Sequence, residues 1–334
     1  MSEPVRVGLN GFGRIGRNVF RASLENDAVD IVGINDVMDD DEIDYFAQYD
    51  TVMGKLPGAG VEDGVLTVEG TDFEAGVFHE TDPTELPWDD LDVDVAFEAT
   101  GIFRTKEDAS QHLEAGADKV VISAPPKGEE PVKQLVYGVN HDEYDGEDVV
   151  SNASCTTNSI TPVAKVLDEE FGIEAGQLTT VHAYTGSQNL MDGPNGKPRR
   201  RRAAAENIIP TSTGAAQATT EVLPQLEGKL DGMAIRVPVP NGSITEFVVD
   251  LDEDVTEGDV NAAFEEAAAG ELEGVLGVTD DDVVSSDITG DPYSSQVDLQ
   301  STNVVGGMTK ILTWYDNEYG FSNRMLDVAE YITE

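Results

Sequence analysis

The chain is short of cysteine, of histidine and above all of positive charge. One cysteine in 334 residues excludes a disulfide framework and fits a reducing compartment. Long apolar runs are missing too. None approaches the roughly 18 residues that a membrane helix needs, and Met1–Val7 leads into a strand with no signal-peptide pattern. A cytoplasmic protein is the expectation. Against 66 acidic residues stand 20 basic ones, a formal net charge of −46. That balance excludes nucleic acid and anionic membranes as expected partners, because both carry the same sign. It does not imply disorder: hydrophobic residues make up 39% of the chain, and the acids interleave with regular apolar segments. The length exceeds one ordinary core, so two domains are expected. No metal site is expected.

Where cations are so scarce, those that remain carry information. Arg14 and Arg17 lie in a glycine-rich turn, Arg199–Arg202 form a cluster, and Arg236 sits inside an apolar strand. The turn follows a short strand, Val5–Leu9, and precedes an apolar-periodic helix. Gly11, Gly13 and Gly16 therefore form G-x-G-x-x-G in the context that binds dinucleotides. The first glycine allows the tight turn, the second lets a pyrophosphate approach backbone, and the third permits close helix packing. Asp36, at the end of the next strand, lies where an acid would hold the adenosine ribose hydroxyls and repel a 2′-phosphate. This favours NAD over NADP. Strand and helix patterns then alternate: Val93–Gly101, a helix over 106–117, Lys119–Pro126, Leu135–Val139 and Val149–Val150. The rhythm predicts a doubly wound parallel sheet with Thr100 and Ser123 at strand ends lining the cofactor cleft. Residues 50–90 read as an insertion.

Ser151–Asn158 holds the one cysteine, Cys155, between the strand at Val149–Val150 and a helical run beginning at Ser159. At the first turn of that helix, free amides and the helix dipole would favour a thiolate. After Cys155 the pattern changes. Gln177–Thr185 is an extended run carrying His182, Gly186–Asn207 is a long polar loop, and residues 208–216 open a helix. Met233–Val239 and Ser243–Leu251 read as antiparallel strands around Pro240–Gly242. The second domain is therefore α+β with a mixed or antiparallel sheet. His182 is the best base for the thiol; His79, His112 and His141 fall in a loop, a surface helix and a loop, and are expected to be solvated.

A thiolate beside a nicotinamide suggests one chemistry: addition to an aldehyde, hydride loss, and an acyl thioester. Thr156, Thr185, Thr213 and Arg236 suggest phosphate pockets. The segments Asn10–Arg17, Ser151–Asn158, His182–Thr185, Pro210–Ala216 and Trp314–Gly320 occur in order along the whole chain, and together they resemble phosphorylating glyceraldehyde-3-phosphate dehydrogenase. The resemblance implies Cys155 as nucleophile and His182 as its base. It implies Thr185 and Arg236 for the substrate's phosphate, and Ser154, Thr156, Thr213 and Gly214 for the attacking inorganic phosphate that releases 1,3-bisphosphoglycerate. Gly13, Arg14, Ile15, Asp36, Ser123 and Asn317 would hold NAD. By the same resemblance the protein is a homotetramer, with residues 1–154 and 317–334 as NAD-binding domain, Rossmann-type, and 155–316 as catalytic domain.

The chain has Gly193–Pro194 where many NAD-strict members carry leucine before the proline, which leaves NADP use open, and Gln217 where many carry lysine. Two other functions fit the same residues: erythrose-4-phosphate dehydrogenase, which hydrolyses the thioester, and an idle NAD-binding sensor or scaffold. A surface this acidic repels itself unless salt screens it, and at 1 M salt the screening length falls to about 3 Å. Adaptation to a salt-rich cytoplasm follows. Fold and activity should decay in dilute buffer and hold in molar salt, as circular dichroism and turnover would report; days of undiminished activity without salt would contradict it.

Overall fold

The computed structural model describes residues 3–334; Met1 and Ser2, which open the predicted NAD-binding domain, lie outside the described residues. The chain divides into two compact units. One runs to Tyr137, resumes over His141–Ser154 and adds Ser322–Glu334; the other takes Gly138–Asn140 and Cys155–Phe321.

The first unit starts with β1 (Val5–Asn10), α1 (Arg14–Ser23), β2 (Val29–Asn35) and α2 (Asp40–Gln48). A short ladder of β3 (Tyr49–Asp50) and β4 (Gly54–Lys55) leads to β5 (Ala59–Glu62), β6 (Val65–Val68) and β7 (Glu74–Phe78). Then come β8 (Val95–Glu98), α3 (Lys106–Ala109), α4 (Gln111–Glu114), β9 (Lys119–Ile122), β10 (Lys133–Gln134) and β11 (Val149–Ser151). The main sheet has the order β10-β11-β9-β8-β1-β2-β7-β6-β5. Pairing is parallel from β10 through β7, so the buried strands read as continuous apolar runs. β5 and β6 add an antiparallel edge. Residues expected to form an insertion thus extend the sheet. Strand order reverses beside β1, and this switch point is where open α/β sheets bind ligands.

Three local expectations need correction. Leu135–Val139 is not a strand: Leu135 and Val136 are buried, but the segment turns through Gly138 at φ +83°. Its apolar character reflects burial alone. The helix expected over 106–117 breaks at Ser110 into α3 and α4. His112, expected on the surface, is fully buried. Trp88 Nε1 donates to its Nδ1 at 3.1 Å, so its Nε2 carries the hydrogen that faces Glu98 Oε2 at 3.2 Å. A buried imidazole is tolerable when both nitrogens are satisfied.

The second unit opens with α5 (Cys155–Phe171), β12 (Ile173–Ala183), β13 (Ile209–Ser212), α6 (Ala215–Val222), β14 (Leu230–Val237) and β15 (Ser243–Leu251). It continues with α7 (Glu257–Ala268), β16 (Leu276–Thr279), β17 (Ser295–Asp298), β18 (Asn303–Val305), β19 (Met308–Tyr315) and the start of α8 (Tyr319–Thr333). The sheet order is β13-β14-β12-β15-β19-β17-β16, with β18 on β19. β14 and β15 are therefore not the hairpin their spacing predicts. The connection Pro238–Gly242 is not a tight turn but steps across β12, which pairs parallel to β14 and antiparallel to β15. Residues 209–212, expected to open a helix, form β13; α6 begins at Ala215.

The glycine turn in the first unit explains its own sequence. Gly11 has φ +102°, and a Cβ there would lie 2.7 Å from the Thr100 amide nitrogen. A Cβ on Gly16 would lie 1.9 Å from the Gly11 carbonyl oxygen, whereas one on Gly13 would meet nothing within 4 Å. Gly16→Ala should therefore lower stability by about 1–3 kcal/mol and weaken dinucleotide binding with it. Gly13→Ala should keep its melting temperature yet lose about tenfold in dinucleotide affinity, or more. Thermal unfolding and cofactor titration separate the two, and an unaltered melting temperature for Gly16→Ala would contradict the packing argument.

Candidate functional site

In the first unit the predicted cofactor residues converge on the carboxyl ends of the strands beside the switch point. Gly11 N donates to Asn35 O at 2.7 Å, tying the turn after β1 to β2. Asp36, one residue past β2, accepts from Phe12 N at 2.6 Å and from Met38 N at 3.0 Å. Ser123 follows β9 and donates its N–H to Glu98 O at 3.0 Å. Gly13 is the exposed N-cap of α1, with no side chain capping the helix amides. A helix start without a side-chain cap and the open space at Gly13 fit a dinucleotide pyrophosphate. Ile15 is half-buried on the first turn of α1.

Arg14 is engaged elsewhere: its guanidinium pairs with Asp50, which Arg17 also approaches at 3.8 Å. Burial pushes the Asp50 carboxyl up, but the Met53 N–H and the Arg14 charge outweigh it and hold it below its ordinary value. The side chain of Arg14 thus braces the turn. Sequence reasoning had no signal for Asp50, which lies far along the chain.

In the second unit Cys155 is the first residue of α5. The chain enters the helix through Ala153, which has φ +55°, a left-handed posture that an alanine adopts only under constraint. Cys155 Sγ lies 3.5 Å from His182 Nε2. His182 sits near the end of β12, and the inserted position of that strand makes Arg236 on β14 its register partner. Arg236 Nη1 is 2.7 Å from Ala183 O and 2.9 Å from His182 Nδ1, while Nδ1 is itself 2.7 Å from Ala183 O. The carbonyl can accept from both nitrogens. Nδ1 then carries the hydrogen, and the Nε2 lone pair faces the thiol.

The charge state differs from the expected thiolate. Burial, joined by the Arg236 charge, pushes His182 down to about 3. Burial also pushes the Cys155 thiol up, with Arg236 and the Thr156 hydrogen bonds working against it. The two effects agree on a neutral thiol facing a neutral imidazole, because two charged forms would each lose hydration. The helix start does not reverse this. Beneath the pair, Tyr315 OH bridges Thr156 Oγ1 at 3.0 Å and Thr180 Oγ1 at 2.8 Å. Its ring stands edge-on to His182, and burial followed by the nearby Cys155 raises its own phenol.

Hydroxyls and cations gather near Arg236. Thr185 Oγ1 is 2.9 Å from Ser187 Oγ, to which Arg200 Nη1 donates at 3.1 Å. Arg200 Nε reaches Thr211 Oγ1 at 3.2 Å. Thr213 Oγ1 accepts from Ala215 N at 3.1 Å, and Gly214 is the exposed N-cap of α6. Burial and then repulsion from Arg236 lower Arg200; burial lowers Arg236 against the opposing pull of Cys155 and Tyr315, and its Nε is buried without a hydrogen-bond partner. Four consecutive arginines gave no hint which one turns inward; the structure selects Arg200, while Arg202 pairs with Asp192 at 2.8 Å. Thr156 is buried with its hydroxyl on Tyr315, so its backbone amide is its means of reaching an anion. Asn317 is buried in this unit and accepts from Ser243 Oγ at 2.8 Å. Ser154 is the last residue of the first unit before α5.

Among the described residues no group of three or more histidine, cysteine or acidic side chains could hold a metal ion, and no helix is long and apolar enough to cross a membrane. A nucleotide-binding parallel sheet and a mixed sheet carrying a thiol–imidazole pair define the class: an α/β, dinucleotide-dependent oxidoreductase. The chain matches two family models, "Glyceraldehyde 3-phosphate dehydrogenase, NAD binding domain" over residues 5–106 and the C-terminal domain of the same family over residues 154–317. It is 92% identical over 334 residues, all of both chains, to a glyceraldehyde-3-phosphate dehydrogenase of Haloarcula vallismortis. Its identity is 53% to one of Streptomyces coelicolor and 51% to one of Geobacillus stearothermophilus, covering 98% of each chain in both cases. The chain belongs to the glyceraldehyde 3-phosphate dehydrogenase family.

Arg236 contributes to the low basicity of His182, so removing its charge favours the protonated ring. Arg236→Gln should move the His182 titration upward from about 3. With only four histidines in the chain, the ring signals can be assigned by NMR, and an unmoved titration would show that burial alone sets the value.

Proposed function

We propose that the chain catalyses the reversible, NAD-linked oxidative phosphorylation of D-glyceraldehyde 3-phosphate to 1,3-bisphosphoglycerate, a reaction of glycolysis and gluconeogenesis. One observation carries the mechanism: the 3.5 Å approach of Cys155 Sγ to His182 Nε2, with Arg236 alongside. His182 Nε2 takes the thiol proton as sulfur adds to the aldehyde carbon and returns it to the developing alkoxide oxygen, so charge develops only as the bond forms and the imidazole is neutral again. The resulting hemithioacetal loses its hydroxyl proton to the same base as hydride departs, leaving a thioester. NAD, when bound, supplies the hydride acceptor. Inorganic phosphate then attacks the thioester carbonyl and releases the acyl phosphate and the Cys155 thiolate, which is reprotonated.

Thr185 and Arg236 hold the substrate phosphate in this reading; the hydroxyls of Ser154 and Thr213 and the backbone amides of Thr156 and Gly214 hold the inorganic one. Arg200 joins them, since its guanidinium is fixed on Ser187 and Thr211 beside Thr185. Gly11, Gly13, Gly16, the backbone of Arg14 and Ile15, Asp36, Ser123 and Asn317 hold NAD. Residues 1–154 and 317–334 act as the NAD-binding domain and 155–316 as the catalytic domain. Leu190, Met191 and Ile208 are 70% or more exposed, and apolar surface of this kind supports association into a homotetramer. A salt-rich cytoplasm fits the net charge of −46.

In molar salt, NADH formation from glyceraldehyde 3-phosphate should depend on phosphate or arsenate. Cys155→Ser should abolish it, and His182→Asn should reduce it by about 10²–10⁴. Turnover indifferent to phosphate would favour thioester hydrolysis, and turnover in Cys155→Ser would end the covalent mechanism.

A further inference from the structure

We infer that Lys197 is the outer cation of the phosphate-binding cluster and captures inorganic phosphate from solution. The inference rests on the proposed reaction and adds a residue to it. Lys197 Nζ lies 2.8 Å from Ser212 Oγ and 3.3 Å from Ser212 O, both neutral acceptors. Among the described residues no carboxylate stands within ion-pair distance of Lys197, Arg200 or Arg236. In a chain with 66 acidic residues, three neighbouring cations without a counter-ion form a distinct local feature.

The placement is specific. Consecutive hydroxyls of β13 each hold one cation: Thr211 holds Arg200, and Ser212 holds Lys197. β13 pairs with β14 so that Ile209 lies opposite Arg236. Ser212 also leads directly into Thr213 and Gly214 at the start of α6. Lys197 is exposed, whereas Arg200 and Arg236 are part-buried, so an arriving anion meets Lys197 first. Its backbone is fixed, with Lys197 N donating to Asn195 Oδ1 at 3.0 Å and Pro198 following. Desolvation and repulsion from Arg200 and Arg236 lower its basicity, the strain that an incoming anion would relieve.

A net charge of −46 repels phosphate at long range, and a local cluster of opposite sign offsets that repulsion where it matters. A capture residue lowers the concentration of phosphate needed without taking part in bond making. Its loss should therefore raise KM and spare kcat.

Lys197→Gln, Lys197→Arg and, as a charge-matched control, Arg199→Gln would be compared with wild type in molar potassium chloride at saturating NAD. Lys197→Gln should raise KM for inorganic phosphate about fivefold, keep kcat within about twofold, and raise by a similar factor the phosphate concentration that half-protects Cys155 from iodoacetate. Lys197→Arg should restore both values, and Arg199→Gln should change neither by more than about twofold. An unchanged KM and protection in Lys197→Gln overturns the inference. Equal effects of Lys197→Gln and Arg199→Gln, or a parallel rise in KM for NAD, overturn it as well, because they report net charge or loop damage. Wild-type turnover that ignores phosphate would instead remove the reaction on which the inference rests.

Discussion

A single backbone carbonyl, that of Ala183, organises the second unit's chemistry. It accepts from His182 Nδ1 and from Arg236 Nη1, and so fixes the tautomer of the imidazole and the position of the guanidinium together. This is possible only because β12 lies between β14 and β15, with His182 and Arg236 in register. A hairpin of β14 with β15 would leave the two side chains on strands that do not touch. The pair it produces is neutral, with His182 buried and Cys155 half-buried. Low polarity keeps the proton on sulfur, and the same low polarity strengthens any field that an anion brings when it reaches Arg236.

Charge imposes a second constraint. With acids in such excess, the surface has little reason to retain a cation without a partner, and several cations do have one: Arg14 on Asp50, Lys165 on Glu169 and Glu271, Arg324 on Asp327. Among the described residues the group around Arg236 has none: hydroxyls brace Arg200 and Lys197, and the Ala183 carbonyl braces Arg236. Serine and threonine can fix the geometry of a guanidinium while leaving its charge uncompensated, which a carboxylate cannot do.

Much of this was legible in the sequence because it depends on local pattern. The glycine turn, the acid after the second strand and the alternation of strand and helix follow from period and spacing, and each appears in the first unit. The cysteine at a strand-to-helix junction is local too. What was not legible depends on distant partners. His112 sits on a helix whose pattern gives no warning of burial, because Trp88 and Glu98 satisfy it from elsewhere in the chain. The β14–β15 misreading has the same origin: adjacency in sequence suggested a hairpin, while the long β12 took the intervening place. The thiolate expectation weighed the helix start and omitted desolvation, which sequence cannot measure. The inward turn of Arg200 among four arginines is likewise a matter of tertiary packing.

Ala153 carries a further implication. A glycine in its left-handed posture would be relaxed, yet the position holds a methyl group that is fully buried. The extra carbon narrows the backbone angles open to the junction in the unfolded and partly opened chain. The junction that carries the sulfur two residues later thus has fewer conformations to give up when the chain folds.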